Sequence, residues 1–204
     1  MFSVFSRFLE CNPDAKKTAH IYMHTWPIYP EGMNLSALAK ILGIQQYIKI
    51  TDEFHRFVGL SEQDLAEFYS CADVFLNLAR GEGFGIPILE AEACGVPVIA
   101  TKFSSMIELV EGHGWLIPPV TLDMTPLLSY QALANVDDAA AALSEAYNKP
   151  DLAKKHGLES CRFAQDYDYE TKIIPKWERL LMDVHENLKE QSFQKPNIEL
   201  KAKP

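Results

Sequence analysis

Over residues 74–100 the chain runs from a short apolar stretch through a loop with Gly81, Gly83 and Gly85, into a helix-like segment opened by Pro87, and out to a second apolar stretch. A strand, a glycine-rich loop, a helix and another strand in so short a span make the unit of a parallel sheet. Parallel neighbours need a crossover, and the helix supplies it. The order also places the loop at the carboxyl end of a strand, where open α/β sheets take their ligands.

The same alternation extends on both sides. A helix over residues 2–9 leads to a turn at Asn12-Pro13-Asp14 and a strand over residues 20–24. Leu35, Leu38, Ala39 and Leu42 recur at helical spacing, Gly43 supplies a stop, and residues 47–51 read as the next strand. Ser61 is the N-cap of a further helix, with Asp64 at the capping-box position and Leu65, Phe68, Tyr69 and Ala72 as its buried stripe. Strands then fall over residues 74–78 and 96–100, with Pro87 as the first residue of the helix between them. Ser105 and Glu108 predict a second capping box, and residues 115–117 predict a short strand closed by Pro118-Pro119. Residues 120–136 show no regular pattern, and helices are expected over residues 138–148, 151–164 and 169–189. The polar stretch 190–204, with two prolines, is expected to be flexible. The prediction is an α/β fold: a Rossmann-like domain over residues 1–189, with a parallel sheet, helices on both faces and C-terminal helices after it.

A chain of 204 residues with 48% hydrophobic content can bury a core without disulfides. Its net charge of −9 argues against a nucleic-acid surface, which needs clustered Lys and Arg. A single phosphate ligand is compatible with that charge, because backbone amides at a helix end suffice to hold it. Cys11, Cys71, Cys94 and Cys161 form no Cys-x-x-Cys pair and read as reduced thiols. The histidines show no His-Glu-x-x-His arrangement, so no metal site is expected. No run of 18 apolar residues and no basic-then-apolar start occur, so neither a membrane span nor a signal peptide is expected, and the location expected is cytoplasmic.

The loop carries the chemistry. Glycines let a ligand approach the backbone, and the amides of Phe84, Gly85 and Ile86 lie at a helix N-terminus, whose dipole favours a diphosphate. Glu82 stands on the loop and Glu90 is expected in the first turn of the helix, two carboxylates suited to accept hydrogen bonds from sugar hydroxyls. The glycine spacing imitates a dinucleotide fingerprint, but Ile86 stands where that pattern needs glycine and no acid ends the next strand. His24 is expected to be satisfied by local hydrogen bonds rather than to face a ligand.

Glu82 and Glu90, with seven residues between them, resemble the Glu-x7-Glu motif of the retaining GT-B enzymes of the glycosyl transferases group 1 family. Gly83-Phe84-Gly85, Pro87, Leu89-Glu90-Ala91, Ala93-Cys94-Gly95 and Pro97-Val98 are similar to the same consensus, and Ala72-Asp73-Val74 to its segment before the loop. The likeness covers residues 35–120 well and identifies the chain with the C-terminal, donor-binding domain of that family. It implies that Glu90 takes the ribose hydroxyls of a nucleoside diphosphate sugar. It implies that Glu82, as candidate catalytic residue, contacts the transferred sugar, and that the amides of Gly83, Phe84, Gly85 and Ile86 hold sugar and phosphate. It implies retention of anomeric configuration, hexosyl transfer to an acceptor that is not identified, and neither a cofactor nor an aspartate-bound metal. Asp166-x-Asp168 imitates the metal motif of the other glycosyltransferase fold, but it follows no buried strand and is expected to cap the last helix. A preceding strand with Gly-Arg and a Lys-Gly, and an N-terminal Rossmann-like domain that meets the acceptor, belong to the family pattern and are not in this sequence. The domain is therefore expected to be incomplete at its N-terminus, with a separate N-terminal GT-B domain as candidate partner. The competing reading is a non-catalytic nucleotide-sugar-binding module or remnant.

Overall fold

Helix α1 (Phe2–Cys11) forms because Phe2, Val4, Phe5, Phe8 and Leu9 fall on one side of an α-helix, and all five are buried. They meet α7 (Val136–Asn148), whose Ala139, Ala140 and Ala142 are small enough to seat the phenyl rings. Phe8 packs edge-on against Tyr147 with centroids 5.6 Å apart. The Asn12 amide donates to Ser144 Oγ at 2.7 Å, and Asn148 donates back to Asn12 Oδ1 at 3.0 Å. These bonds fix the register of the two helices at one end, while Arg7 and Asp137 pair at 2.9 Å at the other.

The computed structural model describes residues 1–28 and 32–190. Strand β1 (Ile21–Met23) pairs in parallel with β2 (Ile48–Ile50), with α2 (Leu35–Ile41) between them in sequence. Strand β3 (Phe75–Asn77) pairs in parallel with β4 (Val98–Thr101), and β4 with β5 (Trp115–Ile117). The crossovers are α5 (Ile86–Ala93) and α6 (Ser105–Val110). Parallel sheets flanked by helices are the predicted fold class. Every residue of β4 is buried, as a central strand covered on both faces must be. Helix α5 also lies against α8 (Pro150–Ala164). There a Cβ on Gly157 would collide with the Gly95 carbonyl oxygen, so only glycine permits the approach.

Several elements differ from the sequence-based expectation. Helix α3 (Glu53–Val58) was not anticipated; Asp52 caps it by accepting from the His55 amide at 3.1 Å, and its apolar side chains Phe54, Phe57 and Val58 are exposed rather than aligned on a core. Helix α4 (Glu62–Ser70) has its Ser61 cap, but the Asp64 carboxylate accepts the Ser61 hydroxyl at 2.6 Å, one methylene too short for the reciprocal reach of glutamate. Its stripe is only half-buried at Leu65, Phe68 and Tyr69, and Ala72 is exposed. Residues 120–136 are not irregular: β6 (Pro119–Met124) and β7 (Tyr130–Ala134) form an antiparallel hairpin. Its turn is closed by Thr125 and Ser129, whose hydroxyls lie 2.8 Å apart, with Leu128 at φ 57 in place of the usual glycine or asparagine.

The chain divides into two compact units, Met1–Gln165 and Asp166–Pro204. In the second, Asp168 Oδ1 accepts from the Thr171 amide at 2.7 Å, the expected capping role, and a π-helical turn (Tyr169–Ile173) leads into α9 (Ile174–Glu190). The tail expected to be flexible lies, beyond Glu190, outside the described residues. Among the described residues no helix is long and apolar enough to cross a membrane.

Candidate functional site

Helix α5 starts at Ile86, one residue earlier than Pro87 suggests, because Gly85 takes a left-handed conformation (φ 96, ψ 42) and acts as N-cap. Pro87 is then the second helical residue, and Glu90 the fifth, which corrects its expected place in the first turn. Glycine is required at 85 twice over. The positive φ excludes most side chains, and a Cβ there would sit 2.9 Å from Leu109 Cδ1. Gly85 brings no side-chain cap; its carbonyl takes the Ile88 and Leu89 amides at 2.9 and 3.4 Å. Pro87 has no N–H, so an anion at the start of α5 meets the Ile86 amide and the loop before it rather than a full turn of free amides. A Cβ at Gly83 would face open space, while one at Gly81 would meet the Phe103 ring at ordinary contact distance.

Glu82 is half-buried on the loop and its main chain is held on both sides: its amide donates to Ser104 Oγ at 3.0 Å and its carbonyl accepts from Ser105 Oγ at 3.1 Å. The capping box expected from Ser105 and Glu108 is therefore not formed. Ser104 is the N-cap, without a side-chain cap bond, and the Ser105 hydroxyl is directed to the neighbouring loop instead. The loop is fastened further at each end. Thr101 Oγ1 donates to the Ala79 carbonyl at 2.9 Å, and the Ala132 amide of β7 donates to the Arg80 carbonyl at 2.7 Å.

Glu90 is half-buried, and Tyr69 of α4 donates its hydroxyl to Glu90 Oε2 at 3.0 Å. Tyr69 in turn packs edge-on against Phe75 of β3 at 5.6 Å. Burial, then the adjacent Glu90 carboxylate, hold the Tyr69 phenol well above its usual range, so it stays a proton donor. One carboxylate oxygen is thereby fixed. Phe84 and Ile86 present exposed side chains beside this turn. The expectations thus fall on one loop–helix junction, with Glu82, Gly83, Phe84, Gly85 and Ile86 before and at the helix start and Glu90 one turn in. Tyr69, Ser104 and Ser105 were not expected to serve it, since sequence spacing gives no sign that α4 and the β4–α6 turn come to the loop.

His24 lies apart from this junction in the hydrogen-bond scheme. Its Nδ1 is 2.9 Å from Thr51 Oγ1, which also meets the Tyr22 hydroxyl at 2.6 Å, the local satisfaction expected for it. All four cysteines are free, and among the described residues no three His, Cys, Asp or Glu side chains cluster as metal ligands would.

The family profile described as glycosyl transferases group 1 matches residues 17–126, more than half of the chain. The O-antigen chain mannosyltransferase B of Escherichia coli is 34% identical over 107 residues, which are 52% of this chain and 27% of that protein. Among solved structures, the sucrose-phosphate synthase of Thermosynechococcus elongatus superposes with a TM-score of 0.69 at 18% identity, over 91% of this chain and 42% of the synthase. The Anabaena protein HepE in complex with UDP and glucose gives a TM-score of 0.62 at 16% identity, over 93% of this chain and 44% of that one. The C-terminal domain of the group 1 family protein LpcC from Francisella tularensis gives 0.59 at 20% identity, covering 84% of this chain and 79% of the domain. The chain spans less than half the length of the mannosyltransferase, the synthase and HepE. With the Rossmann-like GT-B fold and the family profile in agreement, the chain belongs to the glycosyl transferases group 1 family.

Proposed function

We propose that this chain is a donor-binding domain for retaining hexosyl transfer from a nucleoside diphosphate sugar. The observation that carries the reading is the start of α5, where Gly85 in a left-handed conformation caps the helix without a side chain, between Glu82 on one side and Glu90 on the other. The diphosphate sits against the Gly83, Phe84, Gly85 and Ile86 backbone, where the helix dipole favours negative charge that grows as the glycosidic bond breaks. Glu90, with one oxygen held by Tyr69, takes the ribose hydroxyls through the other. Glu82, fixed through its backbone, takes hydroxyls of the transferred sugar. The UDP and glucose of the HepE complex are the sort of ligand the reading requires.

Titration calorimetry with UDP-glucose, UDP, GDP-mannose and GDP tests it. Glu90→Ala is expected to weaken every nucleotide by about 10- to 100-fold, the equivalent of a charged hydrogen bond contributing roughly 1.5–3 kcal/mol. Glu82→Gln is expected to weaken the sugar nucleotides and spare the free diphosphates. Unchanged affinity in a folded Glu90→Ala protein, or equal losses for both ligand types in Glu82→Gln, contradicts the assignment.

A further inference from the structure

Ser104 has φ 52 and ψ −143, a backbone conformation that belongs to glycine because a Cβ crowds the neighbouring carbonyl. The strain sits at the residue whose hydroxyl accepts the Glu82 amide at 3.0 Å. Ser105 beside it donates to the Glu82 carbonyl at 3.1 Å. Two adjacent serines, 22 and 23 positions along the chain, thus grip both polar groups of the Glu82 main chain. The same turn lays Phe103 against Gly81, and α6 lays Leu109 against Gly85, so the glycine loop is moulded on the segment that follows β4. A glycine at 104 would adopt this backbone without strain, yet it offers no hydroxyl to the Glu82 amide.

We propose that Ser104 and Ser105 are positioning residues that set the backbone of Glu82 and so aim its carboxylate at the sugar of the donor, with local strain at Ser104 as the consequence. The inference rests on the reading of Glu82 as a sugar contact. Strained residues persist where surrounding structure over-determines them, and they gather at functional sites. The clamp leaves Glu90 and the start of α5 untouched, so its loss acts on the sugar and spares the nucleotide.

The test uses the full 204-residue chain and four variants: Ser104→Gly, Ser104→Ala, Ser105→Ala and Ser105→Thr. Amide hydrogen exchange at Glu82 is expected to quicken about ten-fold or more in both Ser104 variants, because both lose the acceptor. Ser104→Gly is expected to melt roughly 2–4 °C above Ser104→Ala, since the two differ only in the Cβ that strains the backbone. The preference for UDP-glucose over UDP, or GDP-mannose over GDP, is expected to fall about three- to ten-fold in both Ser104 variants and in Ser105→Ala, with Ser105→Thr restoring it. A merely structural role predicts that ligand preference follows melting temperature, whereas positioning predicts equal losses in Ser104→Gly and Ser104→Ala despite their different stabilities. Unchanged Glu82 exchange overturns the clamp, and intact sugar preference in the Ser104 variants overturns the positioning role. If Glu82→Gln abolishes the preference while the serine variants keep it, this inference fails and the reading of Glu82 stands. If the unaltered chain binds no sugar nucleotide, both fall together.

Discussion

Tyr69 contributes two separable things to the site, a ring packed on Phe75 and a hydroxyl donated to Glu90 Oε2. Tyr69→Phe removes only the second. A neutral donor to a carboxylate aims the acceptor rather than creating it, so UDP affinity is expected to fall by about 2- to 10-fold, less than for Glu90→Ala, with the melting temperature nearly unchanged. Calorimetry on the single and double variants checks this. If Tyr69 acts through Glu90, adding Tyr69→Phe to Glu90→Ala costs nothing further, and additive losses rule the coupling out. At this scale the sequence was legible where the chemistry is local: Glu82 and Glu90 are eight positions apart, and one loop–helix turn holds both. Tyr69 was read as part of a buried stripe and Ser105 as a helix cap, because each acts across a tertiary contact that no local spacing encodes. Ser104 is harder still, since serine gives no hint of a conformation that glycine usually supplies.

Elements were legible where an apolar face and a core agree. Helix α1 and strand β4 bury what their patterns say they bury, whereas α3 and the β6–β7 hairpin were missed because their apolar side chains, Phe57, Val58, Leu122 and Met124 among them, stay exposed. Between α5, α6 and α8 lies a polar exception. Glu92 on the inner face of α5 is fully buried, its Oε1 3.2 Å from His113 Nε2 and its Oε2 without a hydrogen-bond partner among the described residues. His113 donates mainly to the Leu109 carbonyl at 2.6 Å and stacks on Phe163 at 4.5 Å, so it offers Glu92 little more than a shared proton. Burial raises the Glu92 carboxyl from 4.5 to about 8. Below about pH 4.5 the acid is protonated in folded and unfolded chains alike, and its favourable contribution to stability is complete. Between there and about pH 8 the folded chain keeps a proton that the unfolded chain has released, so stability declines as pH rises and the loss is complete above that range. Glu92→Gln, neutral throughout, is expected to flatten the dependence and to exceed the unaltered protein by roughly 2–4 kcal/mol at pH 8.5, with little difference at pH 4.5. Urea unfolding at the two pH values decides it, and parallel pH profiles for the two proteins would remove Glu92 as the cause.

For the molecule as a whole, the sequence pointed to the family and the fold through one run of motif residues, and the superposition on 79% of a solved C-terminal family domain is in keeping with that scale. What a domain in the proposed donor-binding role can do unaided is a matter of geometry. Family resemblance puts the GT-B reaction centre between two Rossmann-like domains, one holding the donor and the other the acceptor. Bringing both reactants into near-attack contact is worth roughly 7–11 kcal/mol of the barrier, and a surface that binds only the donor forgoes most of that. The superposition takes in 91% of this chain and 42% of the sucrose-phosphate synthase, and 93% of this chain and 44% of HepE. These 204 residues alone are therefore expected to bind a nucleoside diphosphate sugar and to consume it very slowly, with release of free sugar rather than transfer. The measurement is donor consumption by the purified chain with and without an added N-terminal GT-B domain, followed by product analysis. Acceleration by the added domain, together with a glycosidic product of retained configuration, supports the proposed role. Transfer by these residues alone at about one turnover per second or faster, within the ordinary range of enzymes, would mean that they hold donor and acceptor without help.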